Sequence, residues 1–145
     1  MGDIERRGTG VWRGNLRKGE GRLGTESVVL KDQPYSFGTR FGDQPGTNPD
    51  ELIAAAHASC YSMAFANVLS EEGYEVGRIE TTATIHLEKH DGGFAIVRSS
   101  LDVEGDVDDI DEATFRRMAE EADKACPVSN LLRPGLEIEI EARLA

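Results

Sequence analysis

Several kinds of segment are missing from this 145-residue chain. Its opening, MGDIERRGTG, has no apolar run, so no signal peptide is read and a cytoplasmic location is expected. No CxxC or HExxH spacing occurs, and no phosphate-binding glycine motif. The sixteen glycines fall mainly in turns. Positive charge is scarce: 16 Lys and Arg stand against 27 Asp and Glu, and a net charge of −11 argues against a nucleic-acid partner. There is no internal repeat or low-complexity tract, and the length suits one domain over residues 1–145. Cysteine is nearly absent, with two residues. In a reducing compartment two cysteines are more often plain buried residues than a structural disulfide, so their settings must decide their role.

One long uncharged run organises the rest. Asn48 suits an N-cap, Pro49 the first helical position, and Asp50 and Glu51 the positive end of a helix dipole. LIAAAHASCYSMAFANVL follows without a charge, and Gly73 marks the stop. The pattern predicts a helix from Pro49 to Glu72, about 36 Å long. It is apolar or small almost all round, which reads as a helix buried in a core. A membrane span is the rival reading; His57, Ser59, Ser62 and Asn67 argue against it.

Before this helix, Gly8–Asn15 and Gly21–Lys31 read as a hairpin, and residues 32–46 as a loop holding Tyr35, Phe37, Arg40 and Phe41. After it, Arg78–His90 alternates as a half-buried strand, Asp91-Gly92-Gly93 turns, and Phe94–Glu104 returns. A second helix is expected over Glu112–Ala125, capped by Asp111, with Ile110 and Phe115 as a hydrophobic staple. Its apolar stripe of Phe115, Met118, Ala119 and Ala122 continues in phase to Cys126, where Pro127 ends it and opens a short helix to Leu132. Leu136–Leu144 alternates as a last strand. The fold class is α+β: a long buried central helix and a second helix packed against antiparallel sheets.

Cys60, mid-helix, reads alone as a small buried hydrophobe, while Cys126 sits at a helix–proline junction. A thiol with an ordinary pKa near 8.5 needs a positive partner to react, and Arg40 is the best candidate. Lowering such a pKa to ~6 takes about 3.4 kcal/mol. A full charge ~4 Å away supplies about 4 kcal/mol at an effective dielectric near 20. His57 and Cys60, three apart, share a helical face and leave open a Cys–His nucleophile pair, or a metal set with Cys126 and His86 that no motif supports. A buried, hydrogen-bonded histidine is the simpler reading of His57.

DQPYSFGTRFGDQPGTNPDELIAAAHASCYSMA, joined to ADKACPVSNLL and to RIETTATIHLEKHDGGFAI, resembles the osmotically inducible protein C family, which includes the organic hydroperoxide resistance proteins. The resemblance covers nearly the whole chain, and the TRF triplet favours the osmotically inducible branch. It implies a thiol peroxidase in which Cys60 is peroxidatic and Cys126 resolving, with Arg40 and Glu51 as the charged pair that supports the thiolate. It further implies an intertwined homodimer, a lipoyl-type dithiol on a partner protein as reductant, and no metal, haem or flavin. Phe41, Tyr61, Met63 and Phe65, with Phe37, then suggest an apolar mouth that prefers organic hydroperoxides to hydrogen peroxide. Glu51 and Cys60 are nine residues apart, 2.5 helical turns and roughly 13 Å, so they point to opposite faces. Arg40 must bridge from its loop, or a second chain must contribute. Two other classes compete: an acyl transferase or hydrolase using Cys60 and His57, and a redox sensor that forms the disulfide without turnover.

Overall fold

A computed structural model describes residues 2–134. The expected strand at 136–144 lies outside the described residues. The chain forms two compact units that divide between Ile53 and Ala54.

The first unit begins with β1 (Gly8–Arg13) and β2 (Glu20–Thr25), antiparallel from Gly8 opposite Thr25 to Arg13 opposite Glu20. β2 stops short of the expected Lys31 because Thr25–Leu30 folds into a turn, closed by the Thr25 N–H on the Leu30 carbonyl (2.9 Å), with Val28 at φ 64°. The supposed loop after it carries two short elements. β3 (Gln33–Tyr35) pairs with β2, and α1 (Phe37–Phe41) starts in a capping box in which Ser36 and Thr39 bond each other's backbone N–H. Asn48 then caps α2 (Pro49–Glu71) through the Glu51 N–H at 2.8 Å, and its amide holds the Thr39 carbonyl of α1 at 3.0 Å. The cap read from the sequence therefore also ties α1 to the start of α2.

The second unit holds the rest of α2, the long hairpin of β4 (Val76–His90) and β5 (Gly93–Val107), α3 (Glu112–Ala125) and α4 (Pro127–Leu132). α2 ends where Gly73 adopts φ +90°, a conformation costly for other residues, and the Tyr74 N–H folds back to the Leu69 carbonyl. His57, Tyr61, Phe65 and Leu69 form its buried stripe. The last three join Met118, Ala122 and Cys126 in the core. Ile79, Leu101 and Val103 of the hairpin and Ile110 and Phe115 of the staple pack around them. Phe115 lies over Gly105, where a Cβ would come within 2.6 Å of the ring, and stacks tilted on Phe65 at 4.9 Å.

The burial of α2 is narrower than its sequence suggests. Ala55, Ala56, Ser59, Met63 and Asn67, on the side away from the stripe, are exposed. Among the described residues, the β4–β5 hairpin, α3 and α4 cover a single stripe only. α2 alone is long and apolar enough to cross a membrane among the described residues, yet Tyr61 and Ser62 bond Ala119 and Thr81 of neighbouring elements, as a core helix does. Phe65 is fully buried, so we predict that Phe65→Ala lowers the unfolding free energy by about 3–5 kcal/mol in equilibrium urea titration. A loss under about 1 kcal/mol would place the core elsewhere.

Candidate active site

The two cysteines meet in the second unit. α2 presents Cys60 beside its buried stripe, and the α3–α4 junction presents Cys126, with the sulfurs 3.5 Å apart and both thiols free. Pro127 explains the junction: it holds Cys126 in extended geometry (φ −76°, ψ 115°) and starts α4 at once. Cys126 thereby becomes the cap of α4, its sulfur accepting the Ser129 N–H at 3.4 Å. The Val128 N–H bonds Cys60, so successive amides of one short helix serve the two sulfurs. Cys60 is half-buried and Cys126 has no exposed surface.

These surroundings separate the two thiols. Burial pushes the Cys60 pKa up, and the Cys126 sulfur adds to this; the Val128 amide offsets only part. Burial also acts to raise Cys126, but the hydroxyl and N–H of Ser129, the Cys60 thiol and the Val128 amide outweigh it and bring the pKa below the ordinary thiol value. Of a single negative charge on the pair, Cys126 is the favoured holder. Among the described residues of its own unit, none of the groups acting on the Cys60 pKa carries positive charge.

His57 is buried and hydrogen-bonded, as the simpler reading had it. Nδ1 lies 2.7 Å from Ser99 Oγ and Nε2 2.8 Å from Ser129 Oγ. Both ring nitrogens are thus occupied by serines, which leaves none for a direct Cys60–His57 pair. His86 bonds Ser100 and Arg98 on the hairpin. Among the described residues the metal set that would need it is not assembled.

In the first unit one edge of the Arg40 guanidinium is gripped by both carboxylate oxygens, but of Asp50 rather than Glu51: Nε donates to Oδ2 at 3.0 Å and Nη2 to Oδ1 at 3.2 Å. Glu51 is exposed and accepts from the Thr47 hydroxyl at 2.8 Å. The neighbouring carboxylate is the one turned inward, and Asp50 is only 9% exposed. The expected apolar mouth also divides. Tyr61 and Phe65 are core residues, Tyr61 donating to the Ala119 carbonyl at 2.7 Å, because they lie on the stripe that faces α3. Met63 is exposed. Phe41 stacks on Phe37 at 4.8 Å and lies beneath Arg40 at 5.3 Å.

A family model described as OsmC-like protein matches residues 42–141. The chain belongs to the OsmC-like protein family. Peroxiredoxin OsmC of Escherichia coli (strain K12) is 43% identical over 140 residues, 97% of this chain and 98% of that protein. Organic hydroperoxide resistance protein OhrB of Bacillus subtilis (strain 168) is 29% identical over 101 residues, 69% of this chain and 72% of that protein. The crystal structure of OhrB of Bacillus subtilis matches with a TM-score of 0.69 and 26% identity, over 90% of this chain and 92% of that one. The higher identity to the OsmC member agrees with the branch suggested by the TRF triplet.

In this OsmC-like chain the buried cysteine should be the more acidic of the two. We predict that Cys126 in a Cys60→Ser protein, followed by thiolate absorbance against pH, stays ionised to a lower pH than a free thiol, and that adding Ser129→Ala moves the transition up. An unmoved transition would contradict the assignment of the Ser129 donors.

Proposed function

We propose that this chain is a cysteine-based peroxidase, an antioxidant oxidoreductase of the stress response that reduces organic hydroperoxides, and more weakly hydrogen peroxide. The observation that carries the reading is a pair of reduced cysteines 3.5 Å apart, one half-buried and one enclosed. A peroxide must touch the sulfur that attacks it, so the partial exposure of Cys60 supports it as the attacking residue although Cys126 is the more acidic. The Cys60 thiolate takes one oxygen of the O–O bond and expels the alcohol, becoming a sulfenic acid; Cys126 condenses with it and water leaves. The family resemblance gives Arg40 the role of supporting the reactive thiolate, and Asp50, which holds its guanidinium, takes the part first expected of Glu51. A lipoyl-type dithiol on a partner protein restores both thiols by exchange, and the cycle needs no bound cofactor. The cytoplasm, where such dithiols stay reduced, is the compartment assigned.

The preference for organic substrates is supported by the relatives named for organic hydroperoxide resistance. The Phe37–Phe41 pair beside Arg40 supports it as well. Phe41 and Met63 keep their proposed place in alkyl binding; Tyr61 and Phe65 do not.

The functional unit is proposed to be an intertwined homodimer. The exposed side of α2, small and apolar at Ala55, Ala56 and Met63, is the surface that a second copy would cover. Sedimentation at micromolar concentration is expected to give twice 15.8 kDa; a fully active monomer would refute it.

The deciding experiment follows tert-butyl hydroperoxide consumption by the purified protein with dihydrolipoamide. Cys60→Ser is expected to abolish turnover, Cys126→Ser to over-oxidise at Cys60, and Asp50→Ala to cost at least about tenfold where Glu51→Ala costs under about twofold. Retained turnover in Cys60→Ser would sink the peroxidase reading. A wild type that forms the disulfide but does not turn over would be a sensor instead.

A further inference from the structure

The reactions above use both sulfurs and leave a costly feature unexplained. An imidazole in a core is tolerated only when its nitrogens are satisfied, and an apolar side chain would fill the same space at no such cost. His57 is 4% exposed and spends both nitrogens on serines, Ser99 42 residues away in the chain and Ser129 72 away. Ser129, itself 5% exposed, is also the residue whose hydroxyl and N–H reach Cys126. A file therefore runs from Cys126 Sγ, which accepts the Ser129 N–H at 3.4 Å and feels its hydroxyl, to Ser129 Oγ and on to His57 Nε2 at 2.8 Å, and Ser99 anchors the far nitrogen.

We propose that this file is a proton relay for the resolving thiol: Ser129 accepts the Cys126 S–H proton while passing its own hydroxyl proton to His57 Nε2. The proposal rests on the reading of Cys126 as the resolving cysteine. Ser99 Oγ accepts from Nδ1–H throughout, which fixes the tautomer with Nε2 free to take the proton. Cys126 thiol and neutral imidazole become thiolate and imidazolium. The thiolate attacks the Cys60 sulfenic sulfur, the S–S bond forms, the S–O bond breaks, and the departing hydroxide takes a proton from solvent to leave as water. The imidazolium returns its proton to solvent, so the net change is one sulfenic acid and one thiol to a disulfide and water. An open cavity of about 420 Å³, lined by His57, Ser99 and Ser129, gives the proton its way out.

The charged groups around the imidazole fit an acceptor. Burial lowers the His57 pKa and keeps the ring neutral at neutral pH; Asp123 of α3 offsets part of this and stabilises the imidazolium once formed. Arg98 of β5 and Arg133, which follows α4 and is ion-paired with Asp123, also line the cavity. Cys126 faces the ring through Ser129. Ser129 touches the reacting sulfur and is catalytic in this scheme; His57 acts through it as a positioning residue and proton store.

The test is rapid mixing of reduced protein with one equivalent of tert-butyl hydroperoxide across pH, with acid quenching and mass spectrometry to count Cys60 sulfenic acid and Cys60–Cys126 disulfide. The readout is the ratio of disulfide formation to sulfenic acid formation. His57→Gln, which keeps hydrogen bonds but cannot take the proton, is expected to lower that ratio at least about tenfold. It should also erase the fall in wild-type disulfide formation as pH drops through the His57 titration, which lies below the ordinary imidazole range. Ser129→Ala should lower the ratio similarly and Ser129→Thr, which restores the hydroxyl, should recover it. An unchanged ratio and pH profile in His57→Gln, or a Ser129→Thr protein no better than Ser129→Ala, overturns the relay. So does equal slowing of both steps with a lowered melting temperature, the mark of a structural role. If His57→Gln does not fold, the two Ser129 variants decide alone. A wild type that makes no Cys60–Cys126 disulfide overturns the peroxidase reading and the relay with it; a normal wild type beside an unaltered His57→Gln overturns the relay only.

Discussion

The packing of one stripe of α2 against α3 governs the second unit. His57, Tyr61, Phe65 and Leu69 recur every fourth residue, and each is almost wholly enclosed. The stripe fixes the rotation of α2 about its axis, and with it the position of every other residue on the helix. Cys60, one residue before Tyr61, is carried to the edge of the stripe, half in and half out of the core. Cys126 ends the apolar stripe of the facing helix and is carried fully inside. Because a close-packed interior resists small displacements, the two sulfurs are held in contact without a covalent bond. The separation that makes redox chemistry feasible is a by-product of how two helices fill space.

The first unit has its own organising contact, at the start of the same long helix. Asn48 satisfies the first turn of α2 and a carbonyl of α1 together, and Asp50 takes the Nε–Nη2 edge of the Arg40 guanidinium. Such a fork is stronger and better directed than a single ion pair on the surface. It costs Arg40 part of its freedom in exchange for a defined orientation, which suits a group required at one place.

Much of this was legible in the chain. The cap, proline and acidic pair at 48–51, the staple at Ile110 and Phe115, and the alternation of β4 each depend on neighbours a few residues away, and each appears in the structure. β3 and α1 escaped because three and five residues give too short a pattern, although Ser36 and Thr39 have the spacing of a capping box. The choice of Glu51 rests on the family resemblance, and the sequence does not show which of two adjacent carboxylates meets Arg40, because both suit a helix dipole; the structure pairs Arg40 with Asp50. Tyr61 and Phe65 were read as a substrate surface because their nearness to Cys60 outweighed their four-residue spacing from His57, which marks the core face. The serines that bracket His57 come from β5 and α4, and no local pattern announces contacts over that distance in sequence.

One consequence follows from the unequal burial of the two cysteines. Once joined, they would offer an incoming thiol a single approach, through the Cys60 sulfur, because Cys126 has no surface of its own. Exchange requires attack on one sulfur and departure of the other, and the sulfur that better bears charge departs faster. Here the enclosed sulfur is also the one provided with the Ser129 donors. In the proposed cycle, access and leaving-group stability would select the same regiochemistry: the mixed disulfide with a reductant would form on Cys60 while Cys126 withdraws into its cap. On that cycle the electron donor would meet the same atom that had met the oxidant.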